Sequence, residues 1–97
     1  MKHQIDLNQV KKTQMTLKAL NHKLRQKILA TIEKADAITV TDIYVKLRIE
    51  QSVASQHLAI LRKARIVNTT RKGKCIYYTI DYNRILQIEN RVYELNK

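Results

Sequence analysis

The stretch "QSVASQHLAILRKA", residues 51–64, decides how the rest of the chain is read. Ala54, Leu58 and Leu61 recur at spacings of four and three, which is one stripe of an α-helix. That stripe is predicted to face a core. Gln51, Ser52, Ser55 and Gln56 then look the other way, and they are short amides and hydroxyls rather than the charges that usually fill a solvated helix face. Such side chains can read base edges, and they can equally be plain wet surface. The segments on either side bear on the choice.

Upstream, Thr39 or Thr41 can cap a short helix in which Val40, Ile43, Tyr44 and Leu47 form one apolar side. Only "RIEQ", residues 48–51, links it to the helix quoted above, so the two must cross steeply as a helix-turn-helix with the second helix open on one side. Downstream, "IVNTTR" (66–71) and "CIYYTI" (75–80) are rich in β-branched and aromatic residues and flank Lys72, Gly73 and Lys74. The chain's single glycine sits at the tip, where a positive φ is cheap, so a hairpin is expected. Period two places Ile76, Tyr78 and Ile80 toward the core and Cys75 and Tyr77 away from it.

Three more helices complete the reading. Asn8 can cap a first helix over about 9–20, with Val10, Leu17 and Leu20 on its apolar side. Asn21 resets the chain for a second helix to about Lys34, whose Leu24, Ile28, Leu29 and Ile32 face the core. Asp81 can cap a last helix from Tyr82 to about Leu95. There Ile85, Ile88, Val92 and Leu95 follow the 3, 4, 3 spacing of a paired helix. With no proline, no low-complexity tract and no internal repeat, residues 1–97 are expected to form a single domain, mainly α with a small β-hairpin: a winged helix-turn-helix.

Charge narrows the function. Lys and Arg number 19 against 8 Asp and Glu, a formal net charge of +11 on 97 residues. So large an excess repels itself unless a polyanion is the usual partner, which puts double-stranded DNA first and an anionic membrane second. No apolar run approaches a membrane span, and "MKHQIDLNQVKK" lacks the apolar stretch of a signal peptide, so a cytoplasmic protein without a membrane partner is expected. The lone Cys75 cannot form an intrachain disulfide; Lys74 beside it would favour a thiolate, although a strand cysteine is also a small apolar filler. No phosphate-binding glycine loop and no Ser/His/acid spacing is present, so no enzyme is expected.

From Ala19 to Ile80, "ALNHKLRQKIL", "TVTDIYVKL", "QSVASQHLAILRKARIV" and "RKGKCIYYTI" occur in an order and spacing that resembles the ArsR/SmtB family of bacterial repressors. The resemblance implies a homodimer paired through its first and last helices, with two wings beside a pseudo-palindromic operator. Val10, Leu17, Ile85, Ile88, Val92 and Leu95 would line the dimer interface. It implies DNA contact through Gln51, Ser52, Ser55 and Gln56, residue types suited to base edges or phosphate. His57 shares that motif but lies beside Leu58 and Leu61, so a packed, hydrogen-bonded imidazole competes with a base reader.

Arg71, Lys72 and Lys74 surround the wing tip and suit phosphate or a minor groove, or merely solubility. Many relatives bind metal in the third-helix segment or on the last helix. Here Thr39 and Thr41 replace the cysteines, and the last helix has neither His nor Cys, so no metal or other cofactor is expected. Arg48 and Arg65 stand where the family's helix exits usually have Gly. The expected function is a sequence-specific transcriptional regulator that represses by occluding a promoter. The alternative is a sequence-independent, chromosome-associated DNA binder. No inducing signal is legible in the residues.

Overall fold

A computed structural model describes residues 18–95, and the side chains of 18–90. Val10, Leu17 and the proposed cap Asn8 lie outside the described residues, as do the side chains of Val92 and Leu95. Residues 18–20 are helical. The order that follows is α1 (Lys23–Ala35), β1 (Ile38–Thr39), α2 (Val40–Leu47), α3 (Gln51–Lys63), β2 (Val67–Lys72), β3 (Cys75–Ile80) and α4 (Tyr82–Leu95).

Apolar periodicity and burial agree on the helices. Ile28 and Ile32 of α1, Ile43 of α2, and Leu58 and Leu61 of α3 are fully buried in one cluster with Ile66 and Val67. Fully burying a side chain of this size contributes roughly 1.5–3 kcal/mol, so this shared core fixes the angle at which α3 leaves α2. The caps are local. Thr39 Oγ1 accepts the Asp42 amide at 3.3 Å, and Asp81 Oδ1 accepts the Arg84 amide at 3.0 Å. α1 is capped by His22, whose Nδ1 accepts the Leu24 amide at 3.2 Å, one residue later than the expected Asn21.

Both helix exits close the same way. Arg48 (φ 55°) follows α2 and Arg65 (φ 61°) follows α3, each in the left-handed region. After α3, the Arg65 amide donates to Arg62 and the Ile66 amide to Leu61, each at 2.9 Å, while Leu61 and Ile66 are buried. This is a Schellman closure, made with arginine at the position that most often takes glycine. The same pair of bonds, Arg48 to Val45 at 3.3 Å and Ile49 to Tyr44 at 3.1 Å, ends α2.

The hairpin has Lys72 opposite Cys75, leaving Gly73 and Lys74 as a two-residue turn with Gly73 at φ 63°. A turn with glycine first and the second residue at negative φ matches the right-handed twist of the flanking strands. Three expectations change here. The sheet has three strands, not two, because Ile38–Thr39 pairs antiparallel with β3 in the order β1-β3-β2. Two residues are too few to show a period of two in a sequence. Ile76 is expected in the core but is 50% exposed, because it pairs with Arg71 near the tip, beyond the helical layer that half-buries Tyr78 and Ile80. Ile88, expected at a dimer seam, is only 3% exposed and belongs to the protomer's own core, with Ile85 packed against that core.

Candidate nucleic-acid interface

α3 is held from beneath by Ala54, Leu58 and Leu61, all essentially inaccessible. Opposite them Gln51, Ser52, Ser55 and Gln56 are exposed, which is where the periodicity puts them. Ser52 is not the helix cap: Glu50 occupies that position and makes no side-chain capping bond. The hydroxyl of Ser52 is thus not used at the helix start. A stripe of short hydrogen-bonding side chains stands on a helix whose other face is locked into the core.

His57 leaves that stripe. It is half-buried, its ring lies 4.8 Å from that of His22 and tilted by 47°, and its Nδ1 is buried without a hydrogen-bond partner. Burial lowers its pKa below the ordinary value, and the positive charges available to His22 and Arg25 lower it further. The packed reading fits this position, although the hydrogen bond expected at the ring is not made at Nδ1. Its neighbours come from the start of α1, so this imidazole faces inward between helices.

The wing supplies the charge. Arg71, Lys72 and Lys74 are all exposed around the turn. The Arg71 Nε donates to the Gly73 carbonyl at 3.3 Å, which folds its guanidinium back over the tip. The Lys72 ammonium lies 5.9 Å from the centroid of Tyr77, at the outer reach of a cation–π contact. The Cys75 thiol is exposed on the same strand end.

Helix and wing meet in an open groove lined by Ser55, Ala59, Arg62, Lys63 and Tyr78. Sequence reasoning leaves Arg62 and Lys63 unplaced and assigns Tyr78 wholly to the core. Continuing from Ser55 by two helical turns, past Ala59, would have found both cations. The position of Tyr78 depends on the crossing of β3 behind α3. Among the described residues no three of His, Cys, Asp and Glu converge on a point, and no helix is long and apolar enough to cross a membrane.

The comparisons with known proteins agree with this architecture. A family model described as bacterial regulatory protein, arsR family, matches residues 22–69. The chain is 32% identical over 83 residues to the transcriptional repressor PagR of Bacillus anthracis, covering 86% of this chain and 83% of that protein. The crystal structure of PagR superposes with a TM-score of 0.69 at 33% identity, over 78% of this chain and 86% of that one. HlyU from Vibrio cholerae, a transcriptional activator by name, superposes with a TM-score of 0.70 at 30% identity, over 92% of this chain and 98% of that one. A biofilm growth-associated repressor of Agrobacterium fabrum is 32% identical over 79 residues, covering 81% of this chain and 67% of that protein. The fold is a winged helix-turn-helix, and the chain belongs to the ArsR family of bacterial regulatory proteins.

Proposed function

We propose that this protein is a sequence-specific, double-stranded-DNA-binding transcriptional regulator that acts as a homodimer on a pseudo-palindromic operator and represses by occluding the promoter. The observation that carries the reading is the exposed row Gln51, Ser52, Ser55 and Gln56 on a core-locked helix beside a cationic wing. Amides and hydroxyls on a rigid helix supply directional contacts for base edges, and wing cations supply phosphate contacts that set register. Family membership and relatives named as repressors support the same reading. His57 is not retained among the contacts, because its ring faces His22.

Residues 1–97 act as one domain, a binding protein and not an enzyme, in the cytoplasm with the DNA. Two copies pair through the two terminal segments, the first of which lies largely outside the described residues. On α4 the surface for pairing is best supported at Tyr82 and Leu86, one helical turn apart and 54% and 55% exposed, since Ile88 is already used by the protomer. Leu86→Asp should therefore shift a dimer to monomers in sedimentation while the fold survives; a variant that stays fully dimeric removes Leu86 from the interface.

The test of function is selection of bound sequences from a random duplex pool, followed by promoter occupancy on a reporter. Enriched inverted repeats and reduced transcription are expected. Salt-steep binding with no enriched sequence would instead make the protein a sequence-independent DNA binder.

A further inference from the structure

We propose that the groove between α3 and β3 is a phosphate seat, in which Arg62, Lys63, Ser55 and Tyr78 hold one backbone phosphate of the DNA strand passing between the reading helix and the wing. The inference rests on the DNA-binding reading above and adds to it a set of positioning residues at a defined place.

Ser55, Ala59, Arg62 and Lys63 stand at i, i+4, i+7 and i+8, so all four share one face of α3, and that face lines the groove with Tyr78 on the opposite wall. Among the described residues no carboxylate lines it, and its one apolar helix residue, Ala59, carries only a methyl group. Arg62 and Lys63 also lie in the last turn of α3, where cations complement the helix dipole. That role needs only proximity to the helix end. It does not call for a serine from the helix and a tyrosine from the strand to line the same groove. Two cations, a serine and a tyrosine around an open space are the donor set for a tetrahedral oxyanion, with the Arg62 guanidinium able to engage two oxygens at once.

The source of the oxyanion follows from the groove's position and openness. Ser55 belongs both to the reading row and to the groove, so a strand whose bases meet Gln51 and Gln56 has its backbone at hand. An open groove with two flexible cations binds a free anion weakly. A phosphate already brought there by neighbouring contacts binds in effect intramolecularly.

The experiment measures wild type, the double variant Arg62→Ala/Lys63→Ala, Tyr78→Phe and Gln51→Ala on the selected operator and on a scrambled duplex across several salt concentrations. The double variant should bind both duplexes more weakly and lower the log–log salt slope by about one, the signature of one phosphate no longer neutralised. Tyr78→Phe should weaken both by about twofold to tenfold with the slope unchanged, since it removes a hydrogen bond and no charge. Operators carrying single neutral methylphosphonates should show one position per half-site where wild type loses affinity and the double variant loses nothing more. Arg62 and Lys63 are exposed, so their replacement leaves the core intact. The seat is overturned if Gln51→Ala loses operator affinity while the double variant keeps the wild-type slope. It is also overturned, in favour of a free ligand, if inorganic phosphate saturates the groove at micromolar levels and the slope is unmoved. Failure of wild type to bind any duplex would instead overturn the DNA reading itself.

Discussion

α3 and the wing tip are built to opposite specifications. α3 is anchored by three buried residues and presents uncharged donors and acceptors at its N-terminal half. The wing tip is a two-residue turn with no buried anchor, and it presents Arg71, Lys72 and Lys74. A hydrogen bond to a base edge weakens steeply with misalignment, so it needs a fixed platform. Attraction between a cation and a phosphate falls off gently with distance and tolerates a mobile one. On the proposed DNA-binding function, the contrast would give discrimination to the helix and attraction to the hairpin.

Removing the anchor should break the contrast most severely. Leu61 is fully buried and its carbonyl also accepts the Ile66 amide at the helix exit. Leu61→Ala should cost about 2–5 kcal/mol of stability, read as a lower urea midpoint. Discrimination between operator and scrambled duplex should fall with it. A variant with wild-type midpoint would mean that the platform is not held from beneath.

The contrast is sharpened by truncating each region in turn. Gln51→Ala or Gln56→Ala should cost roughly 1–3 kcal/mol on the operator and little on scrambled DNA. Lys72→Ala or Lys74→Ala should weaken both duplexes alike and reduce the salt slope by about one for each phosphate that the lysine neutralises. Equal weakening on both duplexes for the glutamine variants would place discrimination elsewhere.

A smaller effect depends on pH. His57 takes up a proton less readily in the folded chain than at its ordinary value near 6.5, first because it is buried and then because His22 and Arg25 are close. The unfolded chain therefore binds more protons as pH falls, and stability rises with pH in this window. The contribution is complete above about 6.5 and is lost as pH falls from there toward the folded-state value. His57→Gln should flatten that part of the stability profile relative to wild type. An unchanged difference between the two proteins from pH 7.5 to 5 would show that His57 does not carry it.

Much of this division is legible in the residues because burial leaves a period. Ala54, Leu58 and Leu61 identify the anchored face of α3 and, by subtraction, the reading row. Gly73 identifies the turn, since few other residues accept its φ. What is not legible depends on neighbours distant in sequence. The strand Ile38–Thr39 exists only because β3 comes alongside, and the inward position of His57 is set by His22, the cap of α1, against its ring. Ile88 fits the spacing of a helix seam, but the same spacing serves a protomer core, and only the packing around it decides.

The smallest effect concerns Arg65, which joins the two regions. Its φ of 61° costs an L-residue about 1–2 kcal/mol, and glycine escapes that cost. Glycine also leaves the unfolded chain freer, which takes back roughly 0.5–1 kcal/mol. Arg65→Gly should therefore stabilise the protein by less than about 1 kcal/mol, seen as a small rise in the urea midpoint. Charge is the competing cause, because removing one cation from a chain of net charge +11 relieves repulsion. Arg65→Ala separates the two: it removes the same cation but keeps the strained backbone, so it should gain nothing comparable. If Ala and Gly raise the midpoint equally, the cost at this exit is electrostatic. The left-handed turn between reading helix and wing would then be as comfortable for arginine as for glycine.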